Sequence, residues 1–416
     1  MTLPFRLRLR RSALSVLTAA VAALAFGVGA ASASSYTCTN SSVDQAALQA
    51  LINAGGTVTI VGTCRGNWTV SATDVKIQGG GNNATLNGNG ASHVLLVTAH
   101  TATLVGLTIT NGTANGGGGI EAAGNATVNV VSSTVTGNSA SSVGGGILAF
   151  SPATVNVSGS TLKNNSASFG GAIFSFSTVS VSGSTLTGNT ASIGGGAAGA
   201  QAGGLSFTSS RLTSNSAFEG GAIVNFGGGT GVSITGSSLD HNSLYSIDGG
   251  GGAIANFSSV GDAPVTLVGT TLSSNFVPGG RGGAIFNEGN NNNTASITAS
   301  GGTVFSGNQA TGGGSIPAEG GAIYTEANGG VGLVTLIDTT VGPPPGSLNG
   351  NRAQYGGGIY NDAFNGLTMV TLGQGAHIVG NTASVTGGGI DNAGGAVSIG
   401  QGAVLFGNHP NNCTGC

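Results

Sequence analysis

The sequence predicts an all-β chain wound as a single parallel β-helix, with one short helix capping its N-terminal end. Three observations carry that reading. An apolar residue stands three places before an Asn in ten copies: Val135–Asn138, Leu162–Asn165, Leu186–Asn189, Leu212–Asn215, Leu239–Asn242, Leu272–Asn275, Phe305–Asn308, Leu348–Asn351, Ile378–Asn381 and Leu405–Asn408. After nearly every Asn come a double Gly and an anchor: Ile147, Ile173, Ala197, Ile223, Ile254, Ile285, Ile323, Ile359 and Ile390. Within each copy the text alternates with period two, as in Thr154–Leu162, Thr178–Leu186 and Gly231–Leu239, which is strand-like.

The early copies lie 24 to 27 residues apart and the later ones up to 43. A period in this range signals stacked structural repeats. The copies contain no helical spacing, which excludes leucine-rich, ankyrin and helical-hairpin solenoids. One coil of about two dozen residues accommodates three short strands joined by tight turns.

In chain order, residues 1–33 read as an export signal. A basic leader precedes the apolar run Ser12–Ala30, and Ala31–Ala33 supplies small residues for cleavage. Residues 34–66 read as a cap, in which Ser42–Gly56 alone has helical spacing, with Val43, Ala47, Leu48, Leu51 and Ile52 apolar. Residues 67–408 are the repeats and 409–416 a short tail. The four cysteines permit three pairings; Cys38–Cys64 and Cys413–Cys416 are expected, because each staples one end.

The residue types follow from the coil. Double Gly marks a turn where a Cβ is costly. Asn at the same corner of successive coils can hydrogen-bond to the Asn above and below. A second Asn column is expected at Asn225, Asn256, Asn287, Asn361 and Asn392, two places after the anchors. The aromatic set one place before it, Phe174, Phe286, Tyr324 and Tyr360, is expected to face outward.

The Gly-Gly-Ala-Ile tetrads ending at Ile173, Ile223, Ile254, Ile285 and Ile323, together with units such as Phe305–Asn308, resemble the repeat of the chlamydial-type polymorphic outer-membrane proteins. More broadly the chain resembles the right-handed, pectin-lyase-like β-helix proteins. The likeness covers Asn111 to Asn408 and does not extend to an autotransporter barrel. It implies a right-handed solenoid displayed or released outside the cell and acting in adhesion. The enzymes of the wider group imply polysaccharide lyase or hydrolase chemistry as the alternative.

Charged residues make up only 6% of the chain, against roughly 25% in ordinary domains. Without the leader, six basic residues face thirteen acidic ones, a formal charge of −7. No basic patch suited to nucleic acid remains, and no second apolar span suggests a transmembrane helix in the mature chain. The sequence carries no cofactor, metal or catalytic motif, and its acids look scattered. One column is singled out for a ligand or cation: Glu288, Glu326 and Asp362, three places past successive anchors, with Asp391 close by in the next coil. Stacked like charges favour a cationic ligand. Arg281 and Glu319 are expected to form a surface ion pair, the five histidines to be coil or loop residues, and Trp68 to pack near the cap. Insertions between Ser243 and Gly350 are the expected seat of recognition. The leading expectation is an exported, non-catalytic adhesive or structural β-helix, secreted or on the cell surface, with a host or cell-surface glycan or protein as partner. The alternative is a β-helix that binds or degrades polysaccharide. Ice binding is set aside because regular Thr-x-Thr ladders do not recur per coil.

Overall fold

The computed structural model describes residues 33–81, 83–313, 315–344 and 346–416. The expected leader, residues 1–33, lies outside them except for Ala33. The described chain is a right-handed parallel β-helix whose strands form sheets of 25, 13 and 10 members. One coil shows the plan. Ser166–Phe169 belongs to the 10-stranded sheet, Ile173–Ser175 and Thr178–Ser182 to the 25-stranded sheet, and Thr185–Thr187 to the 13-stranded sheet. The chain then turns at Asn189, and Thr190–Gly194 lies in register on Ser166–Phe169.

The period-two text becomes an interior column. Val157, Val181, Phe207, Ile234 and Leu267 stack in register and are all buried. Truncating such a Leu to Ala costs about 2–5 kcal/mol through lost burial and the cavity left behind. Two positions depart from the repeat as read in the sequence. Ile173 pairs with Ala198, not Ala197, so the tetrad there is Gly-Gly-Ala-Ala and the anchor has shrunk to a methyl. Phe305 pairs with Val341, and Leu348 is 93% exposed. The Pro-rich insertion therefore separates the true core residue from Asn351, which keeps its corner.

The Asn corner is the most regular device in the molecule. The backbone N–H and Nδ2 of Asn138 both donate to Asn165 Oδ1 at 3.1 Å. The same double donation runs through Asn189, Asn215, Asn242, Asn275, Asn308, Asn351, Asn381 and Asn408. Each Nδ2 also donates to a carbonyl, as Asn165 does to Val135 O at 3.0 Å. These amides are buried yet satisfied, which avoids the desolvation penalty of an orphan polar group. A second ladder was not anticipated. Backbone N–H groups of Ser133, Ser160, Ser184 and Ser210 each donate to the hydroxyl of the serine one coil on, at 3.0–3.2 Å. The expected second Asn column forms from Asn225 through Asn256 to Asn287. It then passes to Thr325 Oγ1 and resumes as Asn361 donating to Asn392, which leaves Asn361 Oδ1 buried without a partner among the described residues.

Both ends are covered. The helix Val43–Ala54 buries Leu48 and Ile52, while Val43 is exposed. Its Asp44 accepts hydrogen bonds from Tyr36 Oη, from the Thr39 N–H and hydroxyl, and from the Ser41 and Arg65 N–H groups. Burial alone would raise this carboxyl; those hydrogen bonds outweigh it and hold Asp44 below its ordinary value. Cys38–Cys64 ties the start of the chain to the first coil, and Cys413–Cys416 closes the tail. At the far end Asn412 Oδ1 accepts from Asn408 N–H and Nδ2, ending the ladder where another coil would continue it.

Candidate functional site

The double-Gly turn decides where a site can form. Gly170 has φ +62°, and a Cβ there would lie 2.1 Å from Ile173 O. The turn folds the chain back so that residues five apart, one before it and one after, face each other outside the core. Phe169 meets Phe174 at 6.3 Å between ring centroids and Tyr355 meets Tyr360 at 6.5 Å. Thr386 donates to Asp391 Oδ2. Stacked coil on coil, these pairs make a lateral seam along the rod.

The aromatic set therefore points outward, as expected, but is not exposed. Phe174 is 2% and Tyr324 0% accessible. The re-entrant corner supplies a second packed layer, which alternation along a strand does not reveal. The rings form a chain of contacts from Phe150 to Tyr360. Gly199 falls in this column between Phe174 and Val224, and a Cβ there would come within 2.7 Å of the Phe174 ring.

Toward the C-terminal end the seam changes chemistry. Glu288, Glu326 and Asp362 stand in register on neighbouring strands, and Asp391 pairs with Tyr360 two positions over, in the aromatic column. Arg281 and Glu319 occupy the facing wall. Their ion pair is more than the surface contact expected. Arg281 Nε lies 2.9 Å from Glu319 Oε2, its Nη1 lies 3.2 Å from Glu326 Oε2, and its guanidinium carbon sits 4.8 Å above the centre of the Tyr324 ring. Glu319 and Asp391 are buried.

Tyr324 is the hub. Its Oη lies 2.8 Å from Glu326 Oε2 and 3.0 Å from Asp362 Oδ2. A phenol has one proton to donate, so it serves one of these two oxygens at a time, and Glu326 Oε2 also accepts from Arg281 Nη1. Burial first, then the charge of Glu326, raises the Tyr324 hydroxyl far above its ordinary value, so it stays protonated. Burial also raises Glu326, opposed by the Tyr324 hydrogen bond and Arg281 and reinforced by Glu288 and Asp362. Glu319 is raised by burial against the pull of Arg281. Glu219, on the same wall two coils before Arg281, accepts from the N–H of the intervening Gly250 at 2.9 Å. Burial, with the charges of Glu288 and Glu326 adding to it, pushes Glu219 up to about 8.

Thus six of the thirteen acids that look scattered along the sequence converge on one face with Arg281. The signal was present in the text as equal offsets from the anchors. Glu219, Arg281 and Glu319 each precede an anchor by four places, but the concave turn that brings them against Glu326 and Asp362 has no signature in linear alternation. Beside the cluster, Phe364 and Leu367 are 80% and 73% exposed. Among the described residues no group of three or more His, Cys, Asp or Glu side chains has metal-binding geometry. Trp68 is buried in the core, and no helix among the described residues is long and apolar enough to cross a membrane.

No family model, curated protein or solved structure matches this chain. The fold itself defines its class, a right-handed parallel β-helix with a lateral seam that ends in a half-buried carboxylate–tyrosine–arginine cluster.

Proposed function

We propose that the protein is exported and acts outside the cell as a non-catalytic adhesive β-helix of the polymorphic outer-membrane repeat type, and that the polar end of its seam holds a hydroxyl-rich glycan. One observation carries this reading: the Glu326 and Asp362 carboxylates converge on the single hydroxyl of Tyr324 at a half-buried face of the seam. A sugar hydroxyl donates to the carboxylate lone pairs that Tyr324 and Arg281 leave open, and Arg281 offsets part of the acid charge. The exposed Phe364 offers a ring face for the apolar side of a sugar. Two disulfides with no free cysteine among the described residues support an oxidising compartment. The test is retention of the purified protein on immobilised glycans, with localisation of the native protein among medium, wall and membrane fractions. Retention that Asp362→Asn weakens at least tenfold supports the reading. A folded protein that no glycan retains, or one found in the cytoplasm, overturns it.

A second reading, cleavage of a glycosidic bond, is favoured by Glu219. With its carboxyl pushed up to about 8, it carries at neutral pH the proton that a general acid needs. New reducing ends or unsaturated product, lost in Glu219→Gln, select this reading; binding without product selects the first.

A further inference from the structure

At the other end of the molecule, beside the cap, two cavities of about 480 and 520 Å³ adjoin and share Asn40, Arg65 and Asn89. Asn87 and Asn111 line the first and Asn67 the second. We propose that this corner is a separate binding site for a sugar that carries a carboxylate.

The fold holds the pieces at fixed positions. Arg65 pairs in register with Asn87, and the Arg65 backbone N–H is tied to the buried Asp44 at 3.2 Å. Asn40, Asn89 and Asn111 have φ of +56°, +59° and +56°, a left-handed backbone that Asn tolerates better than most residues. Asn89 N–H donates to Asn87 Oδ1 at 2.9 Å, which fixes that amide. The Arg65 Nη2 donates to Asn89 Oδ1 on the partition between the two cavities.

The chemistry selects the ligand. Among the described residues the guanidinium has a neutral amide as partner, not a carboxylate. The nearby acid, Asp44, is already committed to five donors and faces inward. Arg65 is therefore an uncompensated cation in a corner free of competing acid, in a chain whose remaining charge is mostly negative. A guanidinium fork matches a carboxylate with two parallel hydrogen bonds. The lining amides combine donors and acceptors, the pairing that vicinal sugar hydroxyls require: Asn67 spends its Nδ2 on Gly88 O and His93 O and presents its oxygen, while Asn87 and Asn89 spend oxygen lone pairs and keep their NH2 groups. Each cavity exceeds the needs of a small inorganic anion and accepts a sugar ring. Exchanging the Asn89 contact for a ligand carboxylate joins the two halves into one site.

The site shares no residue with the seam, so the two assignments fail independently. The probes are sialyllactose, a glucuronate-containing disaccharide and neutral lactose, each titrated by calorimetry into the purified protein, the Arg65→Ala and Arg65→Lys variants, and Asp362→Asn as a seam control. Asp44 is held by the Arg65 backbone, so both substitutions are expected to leave the unfolding midpoint in place. Binding of either acidic probe at least tenfold tighter than lactose, lost in Arg65→Ala, reduced in Arg65→Lys and kept in Asp362→Asn, supports the site; the arm that binds identifies the acid. Equal binding of lactose, acidic binding that survives Arg65→Ala, or no binding by either acidic probe overturns it.

Discussion

Phe169 and Tyr355 occupy the same wall of the seam several coils apart, and Phe174 and Tyr360 the same facing column. Around the first pair the neighbours are Val143, Leu148 and Val224, and the corner is an apolar layer outside the core in which Leu148, Phe174 and Val224 are buried and Phe169 and Val143 are partly buried. Around the second are Asp362 and Asp391, with Glu319 and Tyr324 one coil before and Arg281 two coils before. The backbone corner is the same in both places, so the difference lies in side chains alone. The solenoid repeats a re-entrant corner that must be filled, and fills one half for stability. The other half keeps carboxylates raised by burial, an arrangement that costs stability and is a mark of functional sites.

The largest expected effect is a pH dependence confined to the polar half. Glu219 has its folded value pushed up to about 8 from an ordinary 4.5. Its neutral form is the stable one, so its contribution is complete below about pH 4.5 and is lost as pH rises through about 8. Relative to Glu219→Gln, whose amide oxygen still accepts from Gly250, the wild type should lose on the order of 4 kcal/mol across that window. Urea unfolding of both proteins from pH 4 to pH 9 reads this out, and parallel curves would refute it. Next in size, Phe174→Ala should cost about 3 kcal/mol with no pH dependence, because it only empties packed volume in the apolar half. Arg281→Ala should cost roughly 2 kcal/mol at neutral pH by stranding Glu319 and Glu326 without their cation. That cost should shrink in acid, where both raised carboxyls are protonated, and thermal melts at pH 4.5 and 7.5 compare the two. Smallest of all, Glu288→Gln, at the half-exposed edge of the column, should change stability by less than about 0.5 kcal/mol in the same melts.

Much of the fold was legible because a solenoid writes its geometry as a period. The Asn corner, the tetrads and the alternating strands fix register one coil at a time, and hydrogen bonds from Asn138 to Asn408 follow the spacing in the text. The errors arose where one residue type stood in for another. Ala198 replaces an Ile anchor, and Leu348 imitates the core position that Val341 fills. The Ser133–Ser237 ladder is hidden because Ser reads as turn punctuation, although Gly-Ser stands before Thr161-Leu162, Thr185-Leu186 and Ser238-Leu239. The acidic column Glu288–Glu326–Asp362 is visible as equal offsets. Its partners are not, because Arg281, Glu319 and Glu219 reach it across a concave turn.

The most direct test of the seam's division is calorimetric titration of one retained glycan into Asp362→Asn, Glu326→Gln and Phe174→Leu. In the first two, an amide replaces a carboxylate acceptor that a sugar hydroxyl would use. Binding should fall more than tenfold while the unfolding midpoint holds or rises, and Phe174→Leu should bind as the wild type does with a lower midpoint. Equal binding by all three variants, or loss in Phe174→Leu alone, would contradict the assignment of the polar half to ligand and the apolar half to stability.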